Sequence, residues 1–85
     1  MTFDVRWTES SFRKLEKLDR YTQGRIIDTL EEAAKDPFAL AKKLTGLNLY
    51  SIRVGDYRVI VSIEMNKMIV FVIDLGHRSK IYKKF

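Results

Sequence analysis

Two arginines flank a two-residue turn in the second half of this 85-residue chain. From Tyr50 it reads Y-S-I-R-V-G-D-Y-R-V-I-V-S-I-E, and its last residues are G-H-R-S-K-I-Y-K-K-F. Gly55-Asp56 between two hydrophobic runs is a strong hairpin signal. In that register Val54 faces Tyr57 and Arg53 faces Arg58. Like charges directly opposite on a sheet destabilise it, so a chain that keeps both arginines is read as holding them for an anion. A third strand then delivers Gly76, His77 and Arg78, and Tyr82 follows. Arginines, a histidine and a tyrosine near one sheet edge point to phosphodiester chemistry or phosphate binding.

Those side chains need a scaffold, and the periodicity predicts one. Thr2 to Trp7 reads as a short strand with Phe3, Val5 and Trp7 on one face. Thr8 or Ser10 can cap a first helix, with Glu9 favourable in its first turn and Phe12, Leu15 and Leu18 as its apolar stripe. A turn near Tyr21-Thr22 is expected to lead to a second helix carrying Ile26, Ile27, Leu30, Ala33 and Ala34. Asp36-Pro37 stops that helix, because a residue before proline avoids the helical region. Residues 38–48 read as a loop or short helical connector with a turn at Gly46. Three strands follow over residues 49–54, 57–64 and 68–75, the last two apolar on both faces and therefore expected to be central and covered on both sides. Met65-Asn66-Lys67 makes the second turn. Trp7, Phe12, Tyr50 and Phe71 lie at core spacing and read as packing. The expected fold class is α+β: one domain over residues 1–85, with an antiparallel sheet of the N-terminal strand and a three-strand meander packed against an N-terminal helical hairpin.

Composition narrows the partners. The chain is 46% hydrophobic, enough for a small core, and carries a net charge of +5. Residues 1–35 hold equal numbers of acidic and basic side chains, so the whole excess lies in residues 36–85, beside the arginines. That asymmetry favours a polyanionic partner. With no cysteine and a single histidine, disulfides, thiolate sites and His-based zinc sites are excluded, and no metal or cofactor is expected. No apolar run approaches a membrane span and the first residues do not read as a signal peptide; a cytoplasmic setting without membrane contact is expected.

Three stretches together resemble the RelE/ParE superfamily of bacterial and archaeal toxins: K-L-T-G-L near Lys43, Y-S-I-R-V-G-D-Y-R-V-I from Tyr50, and V-F-V-I-D-L-G-H-R-S-K-I-Y from Val70. The RelE ribosome-dependent mRNA interferases look closest. The resemblance implies a metal-independent endonuclease that cuts mRNA in the ribosomal A site by attack of the RNA's own 2′-hydroxyl on the adjacent phosphate, and so inhibits translation. The family's basic residue on the first meander strand falls on Arg53, its central-strand arginine on Arg58, its arginine beyond the last strand on Arg78 and its C-terminal tyrosine on Tyr82. A family lysine two residues before Arg53 falls on Ser51, which carries no charge and cannot serve as a base. His77 sits where some relatives have histidine and others lysine.

In the implied reaction Arg53, Arg58 and Arg78 stabilise charge developing on phosphorus. His77 can exchange protons near neutrality, and Tyr82 can exchange a proton or stack on a base. Lys43, Lys80, Lys83 and Lys84 are read as an RNA-attracting surface. The resemblance also implies a cognate RelB-like antitoxin, through which the toxin–antitoxin complex binds operator DNA, and mRNA on the ribosome as substrate. Two other readings stay open. One is a ParE-like toxin that poisons DNA gyrase by binding it, since that branch shares the R-V-G-D-Y-R word; the other is an inactive relative kept as a binding module.

Overall fold

A computed structural model describes residues 2–85. Strand β1 (Asp4–Trp7) leads into α1 (Glu9–Glu16) and α2 (Arg20–Lys35). A single turn, α3 (Pro37–Leu40), precedes β2 (Ala41–Lys43), and β3 (Tyr50–Val54), β4 (Tyr57–Glu64) and β5 (Ile69–His77) form the meander. A short helix, α4 (Arg78–Ile81), follows it. The α+β class stands. The sheet has five strands in the order β1-β5-β4-β3-β2.

Local chemistry sets the helix limits. Thr8 caps α1, its hydroxyl accepting the Ser11 N–H at 3.1 Å. Asp19 caps α2 by accepting the N–H of Thr22 at 3.1 Å and its hydroxyl at 2.7 Å. The link between the two helices therefore lies before Arg20, ahead of the turn expected at Tyr21-Thr22: an aspartate that satisfies an orphan amide fixes a helix start more firmly than composition does. Proline at the first position of α3 ends α2 and starts the next turn, where its missing N–H costs nothing.

Two features of the sheet go beyond the expected one. The N-terminal strand joins the β5 edge, but it runs parallel to β5, pairing Asp4 with Ile69 through Trp7 with Val72. Alternation predicts a strand without predicting its direction; here β1 and β5 are joined by long intervening structure, not by a hairpin that would force them antiparallel. Residues 41–43 add an edge strand, β2, within what reads as a connector. Two lysines in a three-residue strand leave no apolar alternation to detect, and lysine is a common edge residue.

One sheet face makes the core. Leu15 of α1 and Ile26, Leu30, Ala33 and Ala34 of α2 pack on Ile52, Val54, Val59, Val61, Val70, Val72 and Leu75. Phe12 departs from its expected packing role: it is 46% exposed and meets Trp7 edge-on, ring centroids 5.9 Å apart, at the surface. Trp7, Tyr50 and Phe71 are half-buried. On the other face Ile60 is fully buried outside that core, and α4 packs there against β4 and β5. Buried Ile81 sits over Gly76, with Cδ1 3.5 Å from where a Cβ would be. This second cover is what positions the site.

Candidate active site

The hairpin between β3 and β4 forms as its sequence dictates. Gly55 has φ +58°, and the register sets Arg53 opposite Arg58 and Val54 opposite Tyr57. Strand alternation then places Ser51, Arg53, Arg58 and Ile60 on the face away from the main core. β5 runs two residues further than expected, so Gly76 pairs with Arg58 and His77 with Tyr57. A glycine beside Arg58 leaves the surface low there, and α4 carries Tyr82 back across it.

Arg58 is held from three directions. One guanidinium nitrogen donates to the Gly55 carbonyl at 3.1 Å and to the Tyr57 carbonyl at 3.0 Å, and Nε donates to the Tyr82 hydroxyl at 3.1 Å. The same hydroxyl lies 3.1 Å from Ser51 Oγ. A central-strand cation, a phenol and a buried serine are thus locked together. They line a cleft of about 530 Å³ with Arg53, Lys42, Lys43, Leu40, Leu44 and Thr45. Cations and hydroxyls over an apolar rim suit a phosphate with an attached base or sugar. Among the described residues no three His, Asp or Glu side chains gather as a metal site.

Arg53, Arg58, Tyr82 and Lys43 come together here, and the other expected site residues do not. His77 pairs with Tyr57, which puts it on the face opposite Arg58. Its ring meets Tyr57 edge-on at 5.8 Å and its Nδ1 accepts the Ser79 N–H at 3.2 Å, capping α4. The extra strand length that brings Gly76 beside Arg58 turns His77 away. Arg78 lies past the turn: its N–H donates to the Asp56 carbonyl at 2.7 Å, and its guanidinium stands 3.9 Å from the Asp56 carboxylate. Lys80 and Lys83 are exposed. Lys84 is tied to Asp74 at 3.2 Å.

Asp74 reaches that position through a bulge. Ile60 pairs with Asp74 and Val61 with Val72, so Ile73 is the extra residue, and such an insertion re-aims its neighbours. The Asp74 carboxylate binds Lys14 of α1 at 2.5 Å, Lys84, and the Leu75 N–H at 2.8 Å. Burial pushes its carboxyl up, but the hydrogen bonds from Lys14, Lys84 and the Leu75 N–H, with the Lys14 charge, outweigh burial and hold it below the usual carboxylate range. Asp74 thereby ties the segment after α4 to α1.

Ser51, Lys42 and Thr45 are the polar cleft residues that the sequence does not offer as ligands. Ser51 reads as a gap in a charged pattern, and only the position of Tyr82 makes it a hydrogen-bonding floor. Lys42 owes its place to a three-residue edge strand that carries no apolar alternation.

Comparison with known proteins gives a consistent answer. The family model described as the ParE toxin of the type II toxin–antitoxin system, parDE, matches residues 5–82. No curated protein sequence matches at a significant level. Among solved structures, the chain is similar to a RelBE toxin–antitoxin complex from Mycobacterium tuberculosis, at 23% identity and a TM-score of 0.85, over 92% of this chain and 100% of that one. It is similar to a RelE–RelB complex from Pyrococcus horikoshii at 25% identity and a TM-score of 0.81, covering 94% and 99% of the two chains. The isolated E. coli RelE toxin matches at 26% identity and a TM-score of 0.79, covering 96% and 93%.

Proposed function

Because the chain belongs to the RelE/ParE superfamily of type II toxin–antitoxin toxins, we propose that it is the endonuclease form of that fold, cutting mRNA on the ribosome without a metal ion. The observation that carries this reading is the knot of Arg58, Tyr82 and Ser51 beneath Arg53. A toxin that acts by binding alone has no need of a phenol held against an arginine in a cleft.

The reaction follows from the RNA's own groups. The 2′-oxygen bonds to the adjacent phosphorus, the bond from phosphorus to the 5′-oxygen breaks, and the 2′ proton leaves while the 5′-oxygen gains one. The products are a 2′,3′-cyclic phosphate and a 5′-hydroxyl. Arg58 and Arg53 stabilise the charge that grows on the phosphoryl oxygens, and Arg58 is held in place before substrate arrives, which is the condition for large electrostatic effects. Of the two expected proton-exchanging groups, Tyr82 stands in the cleft and His77 does not, so Tyr82 takes the acid–base or orienting role and His77 the structural one. Positioning of the mRNA by the ribosome supplies further rate.

The partner is an antitoxin, as in the RelB complexes of the relatives. An acidic segment laid on Arg53 and Arg58 would block the cleft, and binding of operator DNA belongs to that antitoxin. The matching family model is the specific observation that favours a second reading, a ParE-like toxin that binds gyrase. Induction in cells with mapping of mRNA 5′ ends separates the two. Cuts inside translated codons, reproduced on purified ribosomes in magnesium buffer with toxin stripped of metal beforehand and no other metal added, are expected. Intact mRNA with gyrase-linked DNA breaks would sink the nuclease reading.

A further inference from the structure

The cleft has a third cation whose placement is set by the edge strand. β2 pairs Ala41 with Ile52, Lys42 with Ser51 and Lys43 with Tyr50. Ile52 is core, and Tyr50 and Ala41 pack against the core. Alternation therefore turns Ala41 and Lys43 toward the core face and Lys42 toward the face that holds Ser51, Arg53 and Arg58. Both lysines border the cleft, but only Lys42 starts on the arginine side.

From this register we propose that Lys42 is a substrate-binding residue of the cleft, its ammonium contacting the phosphate that Arg53 and Arg58 hold, from the side opposite β4. Lys42 and Ser51 are directly opposite, a separation of about 5 Å between Cβ atoms, and Arg53 is the diagonal neighbour at about 7–8 Å. Arg58 lies two strands away and, being opposite Arg53, two residues along, about 12 Å at ordinary strand spacing and rise. A phosphate between the two arginines is within reach of lysine's flexible four-carbon stem. No carboxylate lies within ion-pair distance of Lys42 among the described residues, whereas Lys14, Lys35, Lys67 and Lys84 each have one. Ser51 opposite it is neutral and already bound to Tyr82, so of this pair Lys42 alone supplies charge; the carboxylate at the far end of the same row, Asp74, is held by Lys14 and Lys84.

This inference rests on the proposed RNA cleavage. The test is single-turnover cleavage on ribosomes programmed with a short mRNA, comparing wild type, Lys42→Ala, Lys42→Arg, Lys43→Ala and, as a remote charge control, Lys67→Ala, each checked for a cooperative melt. Lys42→Ala is expected to lose roughly 10- to 100-fold, at or below the lower edge of the ~10²–10³ that one well-placed donor contributes, because lysine is the more flexible cation. Lys42→Arg should recover most of that loss, and Lys43→Ala should lose less than Lys42→Ala. The salt dependence of cleavage by Lys42→Ala should also be shallower, by about one unit of log–log slope. A folded Lys42→Ala protein within threefold of an active wild type overturns the assignment, as does equal loss in Lys43→Ala. A wild type that cleaves nothing overturns the proposed function itself and is told apart by that control.

Discussion

Replacing Arg58 with alanine tests the site most directly. The side chain is anchored by two backbone carbonyls and the Tyr82 hydroxyl at 3.0–3.1 Å, and its strand is flanked by β3 and β5. It is a pre-placed donor, and loss of one such donor costs about 10²–10³ in rate, or about 2.7–4 kcal/mol of transition-state stabilisation. Arg53 is exposed on β3 with no side-chain anchor of this kind, so Arg53→Ala should cost less. Arg78 points to Asp56 outside the cleft, and Arg78→Ala should cost less than tenfold. Folding should survive in all three. Removing Arg58 forfeits half-exposed hydrogen bonds but also relieves the like charge of Arg53 opposite, leaving a net change within about 1 kcal/mol, or about 4–8 °C in Tm for a domain this size. Single-turnover cleavage on programmed ribosomes, with thermal melts beside it, reads both quantities. A folded Arg58→Ala protein that cleaves near the wild-type rate while Arg78→Ala is inactive would refute the central-strand assignment.

Three further outcomes are expected. Gly55→Ala forces an alanine into the left-handed region at φ +58° and sets its Cβ 2.9 Å from an Arg25 guanidinium nitrogen; the arginine can swing aside, so the loss is about 1–2 kcal/mol of backbone strain, seen as a lower Tm and smaller for Gly55→Asn. Asp74 has a folded pKa below its ordinary value of 3.8, so its contribution to stability is full above that value and is lost as pH falls through the folded one; urea midpoints should drop in that acid range, and Asp74→Asn should be weaker at pH 7 with a flatter acid limb. Ile81→Ala empties the buried contact over Gly76, and at about 2–3 kcal/mol it should loosen α4 and reduce cleavage through Tyr82 by more than the drop in Tm alone accounts for.

Much of the arrangement is legible in the amino-acid sequence. The Gly55-Asp56 turn fixes the register of β3 and β4, and with it the meeting of Arg53 and Arg58. Thr8 and Asp36-Pro37 mark helix ends by local chemistry that needs no tertiary context. What escapes the sequence depends on longer-range geometry. The direction of β1 is decided by which edge it reaches, not by its own residues. The Ile73 bulge leaves no mark in an apolar run, yet it decides which groups meet Asp74. His77 reads as an acid–base group because nothing in G-H-R says that the strand continues through it, and that continuation alone determines its face. Lys42 and Lys43 are adjacent identical residues, so only pairing with β3 separates them.

The parallel pairing of β1 with β5 has a kinetic consequence. The two strands lie 65 residues apart in sequence at every rung, whereas β3, β4 and β5 are joined by short turns. Closing the long loop is entropically costly and comes after local contacts form, so the meander is expected to fold first and the first-made strand to dock late. The same asymmetry should govern native-state breathing, with β1 opening as a separate unit of low free energy. The cleft lies on β2, β3, β4 and the residue after α4, away from that edge, and would stay assembled while β1 is detached. Amide hydrogen exchange should show it: the amides of Arg6 and Thr8 exchanging well ahead of those of Val59 and Val61, with equal protection across both strands as the result that would contradict it.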